Sequence, residues 1–262
     1  MDKNILESIK KLSNLNNNIK PESTIYQFND IPVPRVTNIL SDTIGKDYLA
    51  KWAANLGKKY FIESQNILNI GTLTHQWIED FLLHKKKSEN FVFSPDVESS
   101  SIIAYSNFLK WYDKFTKIYQ FEVIAAEKEL ACPYYGGTTD CIAKINNHYT
   151  LIDFKTSKKI DYSYIMQLCA YMWIINNYHT ELPHIDTIGI IRVGKVPDDY
   201  EDLFLSTSDL NQLYIINRAM EAFMIAVQHY YSIHNLYSIT TQYSQNYDIK
   251  KVFVKEKENG TE

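Results

Sequence analysis

Asp140, Asp153 and Lys155 are the residues of this 262-residue chain whose types and spacing can do chemistry. They stand in E-K-E-L-A-C-P-Y-Y-G-G-T-T-D-C-I-A-K-I-N-N-H-Y-T-L-I-D-F-K-T-S-K, which begins at Glu127. Glu122 to Cys132 alternates as a strand does, and Pro133 to Gly137 is a turn, because proline and paired glycines interrupt regular structure. Gly137 to Ile145 alternates again. Asn146-Asn147 is a hairpin signal, since Asn tolerates positive φ, and Tyr149 to Lys155 makes a third strand. Asp140 and Asp153 therefore lie on strands that pair through the Asn-Asn turn. The period of two puts Asp153 and Lys155 on one face and Phe154 on the other. Two carboxylates gathered at one strand pair repel each other and lose hydration unless something neutralises them. A divalent cation does so. Hard oxygen ligands suit Mg²⁺ or Mn²⁺, which keep several waters and accept phosphate oxygens. Lys155 would then orient an attacking water or help to deprotonate it. Taken alone, a D-x-K triplet reads as surface hairpin aspartates and a solvated lysine.

The triplet has company. Upstream lies G-T-L-T-H-Q-W-I-E, with Gly71, His75 and Glu79; downstream lies Q-L-C-A-Y, with Gln167 and Tyr171. Residues four apart share a helical face, so His75 pairs with Glu79 and Gln167 with Tyr171. Trp77, Ile78 and Phe81 mark the first helix as partly buried. His75 is then a packing residue or a metal ligand, since imidazole accepts Mn²⁺ and, less readily, Mg²⁺. Glu79 can orient His75, hold a metal through water, or form a surface ion pair. Gln167 and Tyr171 read otherwise as an amphipathic face.

In order and spacing, these motifs resemble the PD-(D/E)xK nuclease superfamily in its RecB-like branch. That series runs G-x-x-x-H-x-x-x-E on a helix, an acidic residue before a strand, G-x-x-D, D-x-K, then Q-x-x-x-Y on a helix. The lead-in I-P-V-P-R-V-T-N-I-L is further similar to that of mitochondrial genome maintenance exonucleases and related phage or viral exonucleases. The resemblance spans roughly Pro32 to Tyr171. It implies a restriction-endonuclease-like topology and hydrolysis of phosphodiester bonds in DNA, on single strands or free ends, in replication, recombination or repair. It implies one or two Mg²⁺ or Mn²⁺ ions held by His75, Asp140, Asp153 and the Phe154 carbonyl, with an acidic residue of the first core strand shaping the site, a place that Glu127 or Glu129 on the same face can fill and for which Glu127 is chosen. Gln167 would bond Lys155 or a phosphate, Tyr171 would buttress it, and Glu79 would stand behind His75. A helical arch over the site, suited to threading one strand, also rests on the resemblance. Two alternatives stand beside it: a non-catalytic nucleic-acid-binding subunit with a nuclease-like fold, and a structure-dependent endonuclease.

Nucleic-acid contacts are expected from Thr37, Thr156, Ser157, Lys158 and Arg192. Hydroxyls and an ammonium just past the D-x-K strand suit a backbone phosphate. Each has a structural reading as well: Thr37 as a helix N-cap, Thr156 to Lys158 as a strand-to-helix turn, and Arg192 as a cap for sheet carboxylates. Lys85-Lys86-Lys87 reads as a solvated helix end or a DNA contact.

The net charge of −4 argues against a module that binds nucleic acid by phosphate attraction alone. It leaves a nuclease open, because metal ions supply local positive charge. Some of the 20 tyrosines and 12 phenylalanines can stack on unpaired bases. Cys132, Cys141 and Cys169 are scattered, which predicts a reducing compartment and no iron–sulfur cluster. No run of eighteen apolar residues predicts a membrane span, and no Walker-type loop predicts ATP hydrolysis. The N-terminus lacks a signal-peptide core and does not support mitochondrial targeting, so a cytoplasmic or nucleoid site is expected. The Asn-, Ile-, Lys- and Tyr-rich composition fits an AT-rich viral or phage genome. No helicase or recombinase partner is named by the sequence.

Along the chain, helices are expected at Asp2 to Leu15 (a loosely docked helix or a flexible arm), Lys46 to Ile67 and Thr72 to His84, with Gly71 opening the last. Further helices are expected at Val97 to Tyr119, Asp161 to Tyr178 and Ser208 to Tyr231, the last capped by Ser208. Thr24 to Phe28 and Ile31 to Val36 read as a small hairpin. Ile185 to Val193 reads as a buried central strand, Asp199 to Leu205 as another, and 238–262 as a polar tail. The fold class is α/β, a mixed and mainly antiparallel sheet of about five strands with helices on both faces. One domain of 262 residues is expected, with a helical part (1–120), a sheet core (121–205) and a C-terminal helix and tail (206–262).

Overall fold

Three hairpins and one helical crossover build the main sheet. The computed structural model describes residues 3–14, 26–45, 47–84 and 94–246. In chain order the elements are α1 (Lys3–Asn14), β1 (Tyr26–Phe28), β2 (Ile31–Val33), α2 (Val36–Thr43), α3 (Asp47–Leu56), α4 (Tyr60–Leu82) and α5 (Pro95–Thr116). Then come β3 (Phe121–Ala131), β4 (Gly136–Ile145), β5 (His148–Lys155), α6 (Tyr162–Tyr178), β6 (Thr187–Val193), β7 (Tyr200–Ser206) and α7 (Leu210–Asn246). The main sheet has the order β3-β4-β5-β6-β7, and only β5 and β6 run parallel. Parallel neighbours need a crossover, which α6 supplies. Asn146, at φ 51, makes the turn between β4 and β5, as its side chain permits.

The sheet has an apolar core on each face. On one, Ile142, Leu151, Ile188 and Ile190 pack with α6, α7, α2 and Ile9 of α1. On the other, Cys141, Ile152, Phe154 and Ile191 pack with α4 and α5. Every residue of β6 is buried, Thr187 and Arg192 included, and its remaining residues are apolar or glycine, as a central strand requires. The ring of Phe154 meets Phe108 of α5 edge-on at 5.5 Å, which fixes the Asp153 and Lys155 side chains on the opposite face.

Several boundaries depart from expectation. The helix expected to open at Gly71 is the second half of α4; the break falls instead at Gly57, whose φ of 53 ends α3. Gly71 is tolerated inside the helix, where a Cβ would touch only Thr156 Oγ1, at 3.8 Å. Thr37 is no cap: Arg35 holds the N-cap position of α2, and Thr37 is exposed in the first turn. Val36 belongs to α2, not to the preceding strand. α7 is capped by Asp209, which accepts from the Asn211 and Gln212 amides, and not by Ser208. It continues to Asn246, into the stretch expected as tail. Of the two readings of the N-terminal segment, the structure shows the docked helix: Ile9 of α1 is fully buried, and Gln228 and Asn235 of α7 donate to Ser8 Oγ and the Leu12 carbonyl. Among the described residues no helix is long and apolar enough to cross a membrane. The Lys85-Lys86-Lys87 run, the Asn16-Asn17-Asn18 break and the 252–254 alternation lie outside the described residues.

Candidate active site

The site forms where β4, β5 and β3 run past the middle of α4. The registered pair Cys141–Ile152 places Asp140 and Asp153 opposite each other at the next step. Asp140 Oδ2 accepts the Phe154 amide hydrogen at 2.7 Å, which fixes the carboxylate against the neighbouring strand. His75 Nδ1 lies 3.4 Å from the same oxygen. Lys155 Nζ lies 2.6 Å from Asp153 Oδ2. That oxygen is buried and receives no well-directed hydrogen bond, so the contact is an ion pair in poor hydrogen-bond geometry. Gln167 ties the pair together: its Oε1 accepts from Lys155 at 3.3 Å and its Nε2 donates to Asp153 Oδ1 at 3.3 Å.

α6 brings Gln167 there. It begins at Asp161, whose carboxylate accepts the Ser163 amide hydrogen, and its face at positions 164, 167 and 171 turns to the strand ends. Tyr171 Oη lies 3.5 Å from Gln167 Nε2. The Tyr171 ring presses on Gly137, where an added Cβ would stand 2.4 Å from Oη, so glycine here is a matter of space. Tyr164 adds its ring face 5.0 Å from the Lys155 ammonium.

Charge and burial compete at each group. Burial works against a charged His75, but Asp140 outweighs it and holds the imidazole above its ordinary pKa. Burial pushes Asp140 up, and the pull of His75, Lys155 and the Phe154 amide wins, so Asp140 sits low. For Asp153, burial and the Asp140 charge overcome Lys155 and push the carboxyl up to about 6. Burial lowers Lys155, yet Asp153 and Asp140 together hold it above the ordinary lysine value. Both partners of the ion pair move upward; at neutral pH both are still charged. Glu127 stands opposite Asp140 on β3, in a backbone kink at φ 47. Partial burial, then Asp140, pushes its carboxyl up to about 7. The side chain still reaches solvent, so water screens much of that effect.

An open cleft of about 560 Å³ gathers His75, Glu79, Glu127, Asp140, Lys155, Thr156 and Ser157. Glu79 accepts from Gln76 Nε2 at 3.1 Å, one turn along α4 from His75. Thr37 does not line the cleft. Lys158 is exposed just past the Thr156-Ser157 turn. Arg192 is engaged elsewhere: it pairs with Asp199 and Glu201 at 2.5 Å each, and Nη1 donates to the Ser157 carbonyl at 3.3 Å. It thus takes its role as a cap for sheet carboxylates and braces the turn beyond Lys155. Sequence reasoning missed Gln76, Thr138, Tyr164 and Lys195, which also line the cleft. The spacing 164-167-171 held the signal for Tyr164. Gln76 and Thr138 lie beside singled-out residues, and nothing local marks Lys195.

No family model matches the chain, and no curated protein matches it. Among solved structures it is similar to one described as SSO0001, at 14% identity over 86% of this chain and 87% of that one, with a TM-score of 0.30. It is also similar to a phage-related exonuclease from Haemophilus somnus, at 12% identity over 80% of this chain and 98% of that one, with a TM-score of 0.34.

Proposed function

We propose that the chain is a metal-dependent nuclease that hydrolyses phosphodiester bonds in DNA, acting on single strands or free ends. The observation that carries this reading is the buried Asp153–Lys155 pair, clamped by Gln167 beside Asp140 at the rim of an open cleft. Such a cluster of charge costs stability and has no packing purpose.

The donor set decides which ion suits it. Asp140 and Asp153 offer hard oxygens, and Asp153 Oδ2, 2.6 Å from the Lys155 ammonium, receives no well-directed hydrogen bond. Two carboxylates with the Phe154 carbonyl suit an ion that keeps waters and takes substrate oxygens, as Mg²⁺ or Mn²⁺ does. They do not suit a closed cage. When bound there, such an ion supplies Lewis acidity at the scissile phosphate and lowers the pKa of its water.

The chain's own residues do the rest. The Phe154 amide and His75 keep Asp140 ionised and aimed into the cleft. Lys155 stays protonated, which makes it a holder of water and of developing negative charge, not the base. Gln167 sets the Lys155 position and Tyr171 sets Gln167. Glu127, an exposed carboxyl on the cleft wall held above its ordinary pKa by partial burial and by Asp140, is placed to exchange a proton with water in the cleft.

One observation favours a second reading, a nucleic-acid-binding subunit without chemistry. Among the described residues, no group of three or more His, Cys, Asp or Glu side chains is arranged to hold an ion. Calorimetry with Mn²⁺ separates the two. Saturable heat in the wild type, abolished in Asp140→Ala/Asp153→Ala, is the expected result; no heat from the wild type favours the binding subunit. Closed circular DNA tests the endonuclease alternative, since an end-dependent enzyme leaves it intact.

A further inference from the structure

Lys195 is a cation without a counter-ion. Its side chain is half-buried and lines the cleft beside Thr156, and its Nζ donates to the Thr156 carbonyl at 2.9 Å. Among the described residues it forms no ion pair, although the same cleft holds Glu79, Glu127 and Asp140. Burial, and Lys158 nearby, hold its pKa below the ordinary lysine value. A half-buried ammonium without an anion loses part of its hydration with no opposite charge to offset it, and the loop that carries it is held in place from several sides.

That loop is built for rigidity. Asn107 of α5, itself 1% exposed, donates to the Gly194 and Val196 carbonyls at 2.9 and 2.8 Å. Its Oδ1 accepts the Asp198 amide hydrogen at 2.9 Å. The Gly194 amide donates to the Asp199 carbonyl at 2.7 Å. Arg192, locked to Asp199 and Glu201, reaches the Ser157 carbonyl from the same side. Two cations thus reach adjacent carbonyls of the Thr156-Ser157 turn. Arg192 is neutralised by its carboxylates, and Lys195 is not.

We infer that Lys195 is a substrate-binding residue, whose ammonium takes a non-bridging oxygen of an internal phosphodiester on the Thr156-Ser157 side of the cleft. This rests on the nuclease reading above and deepens it. The phosphate compensates that charge, and Lys158, whose charge already acts on Lys195, adds to the positive potential on the same side. With the carboxylates on one side and Lys195 on the other, the cleft is electrically polarised across its width, which fixes the side on which a strand's phosphates run.

The test uses the full chain and a labelled oligothymidylate with 5′-hydroxyl ends, so that its anions are internal diesters. Binding is titrated against salt, metal-free and in Ca²⁺, for wild type, Lys195→Gln, Lys195→Arg and the exposed control Lys117→Gln. Lys195→Gln keeps a donor for the Thr156 carbonyl and removes the charge, so a mere tether tolerates it. The expected result is roughly ten-fold weaker binding at low salt and a salt slope smaller by about 0.7, the value for one contact to a single strand. Lys195→Arg should retain most of the affinity, and Lys117→Gln all of it. Equal affinity and slope in Lys195→Gln would overturn the inference, as would failure of the wild type to bind under either condition. Cutting is measured separately: a wild type that cuts with Lys195→Gln unchanged in KM removes Lys195 alone, whereas a wild type that binds but never cuts removes the nuclease reading and leaves the slope to decide Lys195.

Discussion

Replacing Gly137 with alanine should damage the site from the far side of Gln167. The added Cβ would stand 2.4, 2.5 and 2.7 Å from Oη, Cε1 and Cζ of Tyr171. Ordinary carbon contacts begin near 3.5 Å, so the ring or the strand must give by about 1 Å. Tyr171 is 3% exposed and packed into the core beneath α6, with no room for its ring to swing aside. Overpacking of this kind costs about 1–3 kcal/mol, which in a chain of this size lowers the melting temperature by several degrees. The displacement passes to Gln167 through the 3.5 Å contact, and from there to Lys155 and Asp153 at 3.3 Å each. A misplacement of about 1 Å in a positioning group can cost on the order of a hundred-fold in rate. The assay pairs thermal unfolding with the rate of oligonucleotide cutting in Mn²⁺. Gly137→Ala/Tyr171→Phe should stay impaired, because the ring carbons still collide, while Gly137→Ala/Tyr171→Leu should regain stability relative to Gly137→Ala. The reasoning is refuted if Gly137→Ala matches the wild type in both measurements, or if the Gly137 and Tyr171→Leu effects simply add.

Gln167→Leu should lower the cutting rate by on the order of ten- to a hundred-fold with little change in KM, since it frees Lys155 without touching the cleft wall; steady-state kinetics reads the split. In metal-free protein, Asp153 raised to about 6 from an ordinary 3.8 means that folding favours its protonated form. Its contribution is therefore fully present below about pH 4 and lost as pH rises through 6. Melting curves in EDTA should show Asp153→Asn gaining stability relative to wild type between pH 4 and 7, and a constant difference would contradict this. Asn107→Leu should destabilise by roughly 1–3 kcal/mol in chemical denaturation, because it strands the buried Gly194 carbonyl and removes the part-buried bonds to the Val196 carbonyl and the Asp198 amide.

Local alternation was enough to place the strand pair that carries Asp140 and Asp153. T-L-I-D-F-K reads as a strand because side chains alternate, and Phe154 is buried opposite Asp153 and Lys155 for that reason. Asn146 announced the turn that brings the two aspartates together. The spacing of Gln167 and Tyr171 announced a shared face, though not that it would clamp an ion pair. Other features depended on tertiary contacts with no local trace. Gly71 reads as a helix boundary, but α4 packs along α5 and continues through it. Arg192 reads as either a phosphate contact or a cap for sheet carboxylates, and what pairs it is the return of β7 beside it with Asp199 and Glu201. The kink at Glu127 is strain in an edge strand, which no alternation pattern encodes. Lys195 is one lysine among the 27 basic residues, and only its enclosure sets it apart.

The central claim is that the Asp140, Asp153 and Lys155 cluster breaks phosphodiester bonds. Cleavage of end-labelled single-stranded DNA with Mg²⁺, Mn²⁺ or EDTA, by wild type beside Asp153→Ala and Lys155→Ala, tests it most directly. The account predicts cutting by the wild type with either metal, none in EDTA, and none by either variant at equal fold stability. A wild type that binds the strand and leaves it intact under every condition, or a Lys155→Ala variant that cuts as well as the wild type, would contradict it.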